Sequence, residues 1–278
     1  MQKMIIKSSG LKEPFDLKKF ERSLKKSGAQ EHLIKKIAHE IMQRPDLNTT
    51  QQIYYFALQQ LEQEYRPLAA RYNLKQALLS LGPSGFPFEQ FIAHILQAEE
   101  YNTNTDVFVT GFCVDHQVDV VAEKNNEHIM VEAKFHNSRG IKTDVKVTLY
   151  VQARFEDIKK KLEKVPTQVP VIKTAMVATN TQFTTEAIRY ATCINMRLLG
   201  WAYPINQSIA ELVDRFKLYP ITCLTTLNKK QKKELIGKGF VLCKDIHKNI
   251  NALKALGFKE RKLQKIIDEA EGVCSLQV

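Results

Sequence analysis

The chain has 278 residues, 44% of them hydrophobic, and a formal net charge of +11 at pH 7. This length suits one large domain or two to three smaller ones, and no run approaches the roughly 20 apolar residues of a membrane-spanning helix. Since the N-terminal residues lack the apolar run of a signal peptide, a cytoplasmic protein without membrane association is expected. The five cysteines show neither CxxC nor zinc spacing and are expected as reduced thiols.

The positive charge is concentrated at the two ends of the chain. Residues 1–80 carry a net +6, residues 81–205 a net −1, and residues 206–278 a net +6. Two basic segments favour polyanionic partners such as DNA or nucleotide phosphates, with a solvated Lys-rich surface as the alternative. Together with the elements below, this predicts a multidomain α+β and α/β protein with domains at 1–81, 82–205 and 206–278.

The first domain begins with a small predicted hairpin followed by helices. Residues 4–7 and 11–15 read as its two short strands, and Asp16 is the expected N-cap of a helix with Leu17, Phe20 and Leu24 on one face. Leu33, Ile37 and Ile41 mark a second helix. A third, with Thr50 as cap, carries apolar residues at 53, 56 and 61, and a fourth is expected to run from Pro67 to Leu81.

The middle of the chain predicts a helix and then a hairpin of two buried strands. Gly82 to Gly85 break the chain, and the helix that follows carries an apolar stripe with Glu89 in its first turn. The strands of the hairpin are Val118 to Ala122 and Ile129 to Phe135, joined by a polar turn at 124–127. Further strands are predicted at 171–178 and 197–201, with a helix entered through residues 183–187 between them.

Three charged residues lie inside the two strands of this hairpin. Asp119 is in the first strand, and Glu132 and Lys134 share one face of the second, because strand side chains alternate. Unpaired charges are costly to bury, and carboxylate oxygens suit Mg²⁺ while a lysine can place a water or neutralise a phosphate. The alternative is an ion pair between strands on the surface.

The spacing of Asp119, Glu132-Ala133-Lys134 and the preceding helix with Glu89 resembles the PD-(D/E)xK nucleases, and the closest branch looks like the Mrr-type restriction endonucleases. The segment Thr179-Asn180-x-x-Phe-Thr-x-x-Ala is also similar to that branch. The resemblance implies a mixed central sheet flanked by helices, with Asp119, Glu132 and the Ala133 carbonyl holding Mg²⁺ or Mn²⁺. Lys134 would orient the attacking water and Glu89 would assist the metal. DNA is the implied substrate.

The polar loop and helix after the hairpin offer further candidates. A helix capped near residues 143–144 is predicted to reach about Lys164, with Tyr150 and Arg154 near the active edge as possible donors to a DNA backbone. The nuclease resemblance adds Gln152, since related enzymes place a polar residue on this helix. His136 follows the Glu-Ala-Lys-Phe run and could touch a phosphate. The alternatives are an ordinary solvated helix face and a hydrogen-bonded structural histidine.

The N-terminal pattern I-x-K-x-x-G-x-x-x-x-F-D-x-x-K, followed by helices, resembles the ATP-cone, a regulatory nucleotide-binding domain. The resemblance implies that Lys7, and Lys18 or Lys19, meet the phosphates of ATP or dATP. The alternative is a basic module that docks on DNA without nucleotide. Since the chain has no G-x-x-x-x-G-K-[ST] loop, binding without hydrolysis is expected.

The C-terminal segment is predicted to be a basic, all-helical module. Residues 227–236 read as a basic helix and 237–240 as a glycine turn, followed by short helices, which resembles a helix-hairpin-helix module that binds DNA phosphates. The alternative is a dimer contact, from which a homo-oligomer would follow. For the whole chain the sequence predicts a metal-dependent DNA endonuclease regulated by nucleotide, and the alternative is a nucleotide-regulated DNA-binding protein without turnover.

Overall fold

A computed structural model describes residues 3–7, 10–125, 127–164 and 172–276 and divides the chain into two compact units. The first unit comprises Met1–Ala77, Ile221–Glu234 and Leu242–Val278, and the second comprises Leu78–Pro220 and Leu235–Val241. Most of the C-terminal helices therefore fold with the N-terminal segment. The division into three sequential domains stays a prediction.

The N-terminal segment forms a short hairpin and a series of helices, with these bounds: β1 (Met4–Ile6), β2 (Lys12–Pro14), α1 (Leu17–Lys26), α2 (Glu31–Gln43), α3 (Thr50–Glu64), α4 (Arg66–Tyr72) and α5 (Leu74–Leu78). The middle of the chain forms the following elements: α6 (Phe86–Ala98), β3 (Asn102–Thr110), β4 (Asp115–Lys124), β5 (Glu127–Lys134), β6 (Lys142–Thr143), α7 (Val145–Lys164), β7 (Thr174–Thr179), β8 (Gln182–Phe183), α8 (Thr185–Cys193), β9 (Arg197–Leu199) and α9 (Ile209–Phe216). A 3-10 turn at Ile221–Cys223 leads to the last helices: α10 (Lys229–Gly237), α11 (Asp245–Lys248), α12 (Ile250–Ala255) and α13 (Glu260–Ser275).

The N-terminal hairpin and first helix form as the sequence predicts. The strands β1 and β2 pair antiparallel, and the Asp16 carboxylate caps α1 by accepting the Lys19 N–H at 2.9 Å. Phe20 and Leu24 are buried on the predicted face. The cap of α3 is Thr49, not Thr50 as predicted, because Thr49 forms a reciprocal capping box with Gln52.

The predicted helix from Pro67 to Leu81 is wrong as a continuous element. It breaks at Asn73 into α4 and α5, and the Asn73 carboxamide oxygen accepts the Tyr54 hydroxyl at 2.5 Å. Asn73 is thus used as a joint between two short helices rather than as a helix-interior residue, in keeping with the low helix preference of asparagine.

Helices from both ends of the chain are tied together in the first unit. The Arg71 guanidinium on α4 is 4% exposed and donates to the carbonyls of Val273 and Leu276 at 3.0 and 2.6 Å. The carboxylate of Glu269 on α13 is also buried and accepts the backbone N–H and hydroxyl groups of Thr225 and Thr226. These bonds satisfy charges that would otherwise be costly to bury.

The second unit is built on a mixed sheet. Among the described residues its strand order is β3-β4-β5-β7-β9, with β3, β4 and β5 antiparallel and β5, β7 and β9 parallel. The parallel pairs are connected through α7 and α8, which share one hydrophobic cluster with the sheet, and α6 packs against β3, β4 and β5. Apart from the two-residue strands β6 and β8, the elements from α6 to β9 follow one another as a helix, three strands, a helix, a strand, a helix and a strand.

The predicted strand boundaries need small corrections. β7 begins at Thr174, and Val171, where the sequence predicts its start, lies outside the described residues. β9 ends at Leu199 rather than at Trp201 because the chain turns back through a bridge between Gly200 and Tyr203. Asn126, within the predicted turn between β4 and β5, is also outside the described residues.

Candidate active site

Asp119 and the Ala133 N–H meet where β4 and β5 part. The antiparallel ladder between these strands ends at Val120 opposite Val131. Beyond that point the Asp119 carboxylate accepts the Ala133 N–H at 2.7 Å, so a side chain replaces the next backbone partner. The fork between the two strands therefore holds Asp119 against the strand that carries Glu132 and Lys134.

Glu132 is paired with an arginine from α7. The Arg154 guanidinium lies 2.5 Å from the Glu132 carboxylate, also donates to the Gln117 carbonyl, and stacks 5.2 Å from the centre of the Tyr150 ring. Arg154 is only 8% exposed. The sequence places Arg154 as a donor to DNA, but the structure directs it inward to Glu132.

The residue of α7 that reaches Glu132 is Arg154 and not Gln152. Gln152 donates to Glu156 one turn further along the same helix at 2.7 Å. Two residues correspond to about 200° of rotation around an α-helix, so positions 152 and 154 face nearly opposite ways. A catalytic role for Gln152 stays a prediction without a contact that supports it.

Two carboxyl groups of the site, those of Asp119 and Glu89, have raised pKa values. Burial and the nearby Glu132 charge raise the pKa of Asp119 to about 6, although the Ala133 N–H, Arg154 and Lys134 act in the other direction. Burial and the charges of Asp119, Asp106 and Glu132 raise the pKa of Glu89 to about 7. Mutual repulsion of this kind identifies a cluster that a bound cation would stabilise.

Asp106 is a neighbour of this cluster that sequence reasoning missed. The register of β3 and β4 puts it opposite Asp119, at a gap in the ladder between Thr105 and Val107. Its φ is +55°, a left-handed conformation that non-glycine residues adopt rarely, and its carboxylate accepts from Gln117 at 2.5 Å. The available signal was an acidic residue in the centre of an alternating strand.

Polar residues at the end of β7 and directly after it fix the end of β5, where Lys134 lies. The Thr179 hydroxyl donates to the Lys134 carbonyl at 2.9 Å. The Asn180 carboxamide accepts the His136 N–H at 2.9 Å and donates to the His136 carbonyl at 2.7 Å. This clamp fixes the backbone on both sides of Phe135 and leaves the Lys134 side chain exposed.

His136 has a structural partner. Its Nε2 lies 3.1 Å from the Thr143 hydroxyl, and burial together with the Lys134 charge lowers the pKa of the imidazole. A neutral, hydrogen-bonded ring favours the structural interpretation of His136 over a direct role as a cationic phosphate ligand.

The donor set fits a hard divalent cation that keeps water ligands. Among the described residues no three His, Cys, Asp or Glu side chains form a preassembled metal cluster. Mg²⁺ commonly binds through one or two carboxylates and several waters, and Asp119 and Glu132 supply two oxygen donors whose repulsion such an ion would relieve. Metal binding, and a contribution of the Ala133 carbonyl, stay predictions.

Replacing Glu89 by glutamine is expected to raise the melting temperature of the metal-free protein at pH 8 and to leave it nearly unchanged at pH 5. Because the folded pKa is about 7 against an ordinary 4.5, the folded state holds a proton that the unfolded chain releases. Stability is therefore lost as the pH rises from 4.5 through 7, and glutamine removes this loss. Thermal unfolding of both proteins at the two pH values measures it.

The matched control for this experiment is Glu186→Gln, since Glu186 also lies in the first turn of a helix but is exposed. Its substitution should have the same small effect at both pH values. An equal response of Glu89→Gln and Glu186→Gln at pH 8 would remove Glu89 from the charged cluster.

The predicted nucleotide ligands are distributed over two places in the first unit. Lys7 forms an ion pair with Glu13 across the β1–β2 hairpin, and Lys19 contributes its N–H to the α1 cap. Lys18 lines an open groove of about 490 Å³ together with Arg22, Lys25 and Glu31. The groove therefore brings Lys18 together with two cations of α1, but not with Lys7.

The glycine turn after α10 uses its amides internally. The N–H groups of Lys238 and Phe240 donate to the Leu235 carbonyl at 3.0 Å each, and that of Gly239 donates to Ile236 at 2.9 Å. These are C-terminal capping bonds of a helix. Since the amides already have acceptors, the lysines of α10 are better candidates for phosphate contacts than the turn backbone.

Comparison with known proteins defines the class of the second unit. Residues 82–201 match the family model for a restriction endonuclease catalytic domain, which covers the fork, the Glu132-Ala133-Lys134 run and Glu89. The chain therefore contains a restriction-endonuclease-like domain, and DNA is the substrate that this class implies. None of the described helices is long and apolar enough to cross a membrane.

Further comparisons concern the C-terminal segment and the chain as a whole. Residues 219–274 match the model for the AF1548-like C-terminal domain. An uncharacterised protein of Archaeoglobus fulgidus is 36% identical over 183 residues, which are 66% of this chain and 99% of the relative. A crystal structure described as a protein of unknown function, AF1548, is 34% identical, with a TM-score of 0.57, covering 69% of this chain and 98% of that one. The chain therefore belongs to the AF1548-like family.

Proposed function

We propose that this protein is a Mg²⁺-dependent or Mn²⁺-dependent endonuclease that hydrolyses phosphodiester bonds in DNA. The observation that carries the proposal is the fork at which Asp119 binds the strand bearing Glu132 and Lys134, within a domain of restriction-endonuclease type. Carboxylates and a lysine at the ends of adjacent strands provide the groups that metal-assisted phosphate hydrolysis requires.

Asp119 and Glu132 would hold the cation, which when bound supplies an activated water and charge neutralisation at the phosphate. Within the chain itself, Lys134 is exposed at the strand end and is free to direct its ammonium at a phosphate or at the attacking water. Arg154 orients the Glu132 carboxylate through their ion pair. Glu89, with its raised pKa, is suited to hold a proton or to join the metal when ionised.

Nicking of supercoiled plasmid tests this function. The full chain should convert plasmid to open circles with Mg²⁺ or Mn²⁺, and EDTA should stop the reaction. The alternative is a nucleotide-regulated DNA-binding protein without turnover. It predicts that the protein slows the plasmid in electrophoresis while the plasmid stays supercoiled under all of these conditions. Asp119, Glu132 and Lys134 are all present, which favours the enzyme.

We further propose that ATP or dATP binds the first unit and regulates the nuclease. The support is the α1 groove, in which three cations on one helix stripe, Lys18, Arg22 and Lys25, outnumber the carboxylates of Glu21 and Glu31. Three cations in a row suit a chain of phosphates. A ligand that binds one functional state of the protein more tightly than another shifts the equilibrium between the two states by at most the ratio of its two affinities.

Calorimetry with the full chain is expected to detect ATP binding that is weakened about 10-fold or more by Arg22→Ala, in line with the loss of one charge-assisted contact. Lys36→Ala, an exposed lysine on α2, is the control. A Lys7→Ala variant tests whether the nucleotide binds at the β1–β2 hairpin instead: unchanged ATP affinity assigns binding to the groove, and weakened affinity assigns it to the hairpin. If no adenine nucleotide binds at millimolar concentration, the alternative holds: the N-terminal segment is a basic module that docks on DNA without nucleotide.

A further inference from the structure

The end of the β3–β4 hairpin presents apolar side chains to solvent, Phe108 from within β3 and Phe112 and Val114 from the turn. Phe108 is 73% exposed, Phe112 41% and Val114 60%. We refer to these three residues as the aromatic tip. Exposed apolar side chains grouped at one end of a hairpin are characteristic of a contact surface, whereas scattered ones require no explanation.

Asp157 on α7 anchors the turn that carries Phe112 and Val114. The Asp157 carboxylate accepts the N–H groups of Cys113 and Val114 at 2.9 and 3.3 Å, and its backbone carbonyl accepts that of Phe112 at 3.0 Å. His116 lies 2.8 Å from the same carboxylate. A Cβ at Gly111 would collide with this carboxylate, so the turn requires glycine there. An anchored turn loses little entropy on binding.

A positive charge accompanies the aromatic tip. The Lys160 ammonium lies 4.5 Å from the centre of the Phe112 ring, in the middle of the run Lys159-Lys160-Lys161 on α7. A ring and an ammonium side by side match a nucleic acid, which offers a stacked base next to a phosphate. A symmetric contact with a second copy would instead bring the two Lys160 ammonium groups together, which is unfavourable.

The aromatic tip and the candidate active site lie along the same two elements. Lys160 is six residues beyond Arg154 on α7, which is about 9 Å at 1.5 Å per residue. Val114 is five residues before Asp119, roughly 17 Å at 3.3 to 3.4 Å per residue of extended chain. These spans correspond to about three to five base pairs of duplex DNA.

We propose that the aromatic tip inserts between base pairs of duplex DNA about three to five pairs from the cut phosphate, with Lys160 on the adjacent backbone. The inference rests on the proposed nuclease function and adds to it the way in which the substrate is held. Insertion unstacks one step, and a base stacks instead on Phe112.

The test uses the full chain, duplexes that carry 2-aminopurine at successive positions around the mapped cut, and EDTA to prevent cleavage. Wild-type protein should increase 2-aminopurine fluorescence at one step, since the probe brightens on unstacking. Phe112→Ala should remove this signal and weaken affinity about 5- to 100-fold, the range for loss of base stacking. Lys160→Ala should reduce the salt slope of log K by about 0.9.

Tyr55→Ala is the matched control, because Tyr55 is an exposed aromatic residue outside the second unit. It should leave both signals unchanged. If the wild type cleaves DNA, and Phe112→Ala gives the same fluorescence and affinity as Tyr55→Ala, then the insertion is overturned while the nuclease function stands. Failure of the wild type to bind any DNA would overturn both. Loss of a dimer in light scattering by Phe112→Ala, with DNA affinity intact, would assign the tip to self-association instead.

Discussion

A Lys134→Ala protein should bind duplex DNA normally but cleave it on the order of 10³-fold more slowly, the cost of losing one preorganised electrostatic group. The Lys134 side chain is exposed at the end of β5, so its truncation should change stability by less than about 0.5 kcal/mol. Single-turnover cleavage with saturating enzyme separates the chemical step from binding. Asp119→Asn should show a comparable loss, because metal-site residues act as one unit.

Lys173→Ala is the matched control for this prediction. Lys173 is exposed next to the first residue of β7 and thus at the opposite end of the same sheet, since Lys134 pairs in register with Thr179 at the last residue. It should cleave at the wild-type rate. If purified Lys134→Ala retains full activity, the assignment of the active site is wrong.

An Arg154→Ala protein is expected to be destabilised by about 3 to 5 kcal/mol, the range for removing one partner of a buried ion pair. The reason is that Glu132 would keep its charge in a half-buried site without its partner, and the Gln117 carbonyl would lose a donor. Urea unfolding at pH 7, followed by circular dichroism, measures the change. Because Glu132 is paired with Arg154, Glu132→Ala would change stability as well as catalysis, so Lys134→Ala is the cleaner test of catalysis.

A double substitution separates the lost pair from lost packing. Glu132→Gln combined with Arg154→Met removes both charges and should recover more than half of the stability lost in Arg154→Ala, because no unpaired charge remains. A conversion of Arg154 to alanine that costs less than about 1 kcal/mol would place this pair among ordinary surface ion pairs.

The elements of the second unit could be predicted because their signals are local. The alternating apolar residues Val118, Val120 and Ala122 predict a strand without any knowledge of its neighbours in the fold. The Glu132-Ala133-Lys134 run is likewise contiguous in the sequence. The structure confirms both strands and the buried positions of Val131 and Ala133. Asp119 and Glu132 are brought together as an antiparallel hairpin requires.

Side-chain partners from distant segments could not be predicted in the same way. Gln152 and Arg154 are both polar residues on one amphipathic helix, and only the rotation of α7 against the sheet decides which of them meets Glu132. Asp106 depends similarly on the register of β3, which becomes visible only once β3 and β4 are paired. The two backbone groups of His136 that bond to Asn180 lie 44 residues earlier in the chain.

The grouping of both chain ends in one unit has a consequence during synthesis. Arg71 donates to the Val273 carbonyl 202 residues later, and residues 78–220 of the second unit are made in between. At about 5 to 20 residues per second, the ribosome needs roughly 10 to 40 s to cover that distance. Residues 78–220 of the nuclease-like unit can therefore fold while Arg71 on α4 still awaits its acceptors, the carbonyls of Val273 and Leu276. A chain whose synthesis stops before residue 221 would contain all five strands of the sheet but an unfinished N-terminal unit, which is a typical substrate for chaperones.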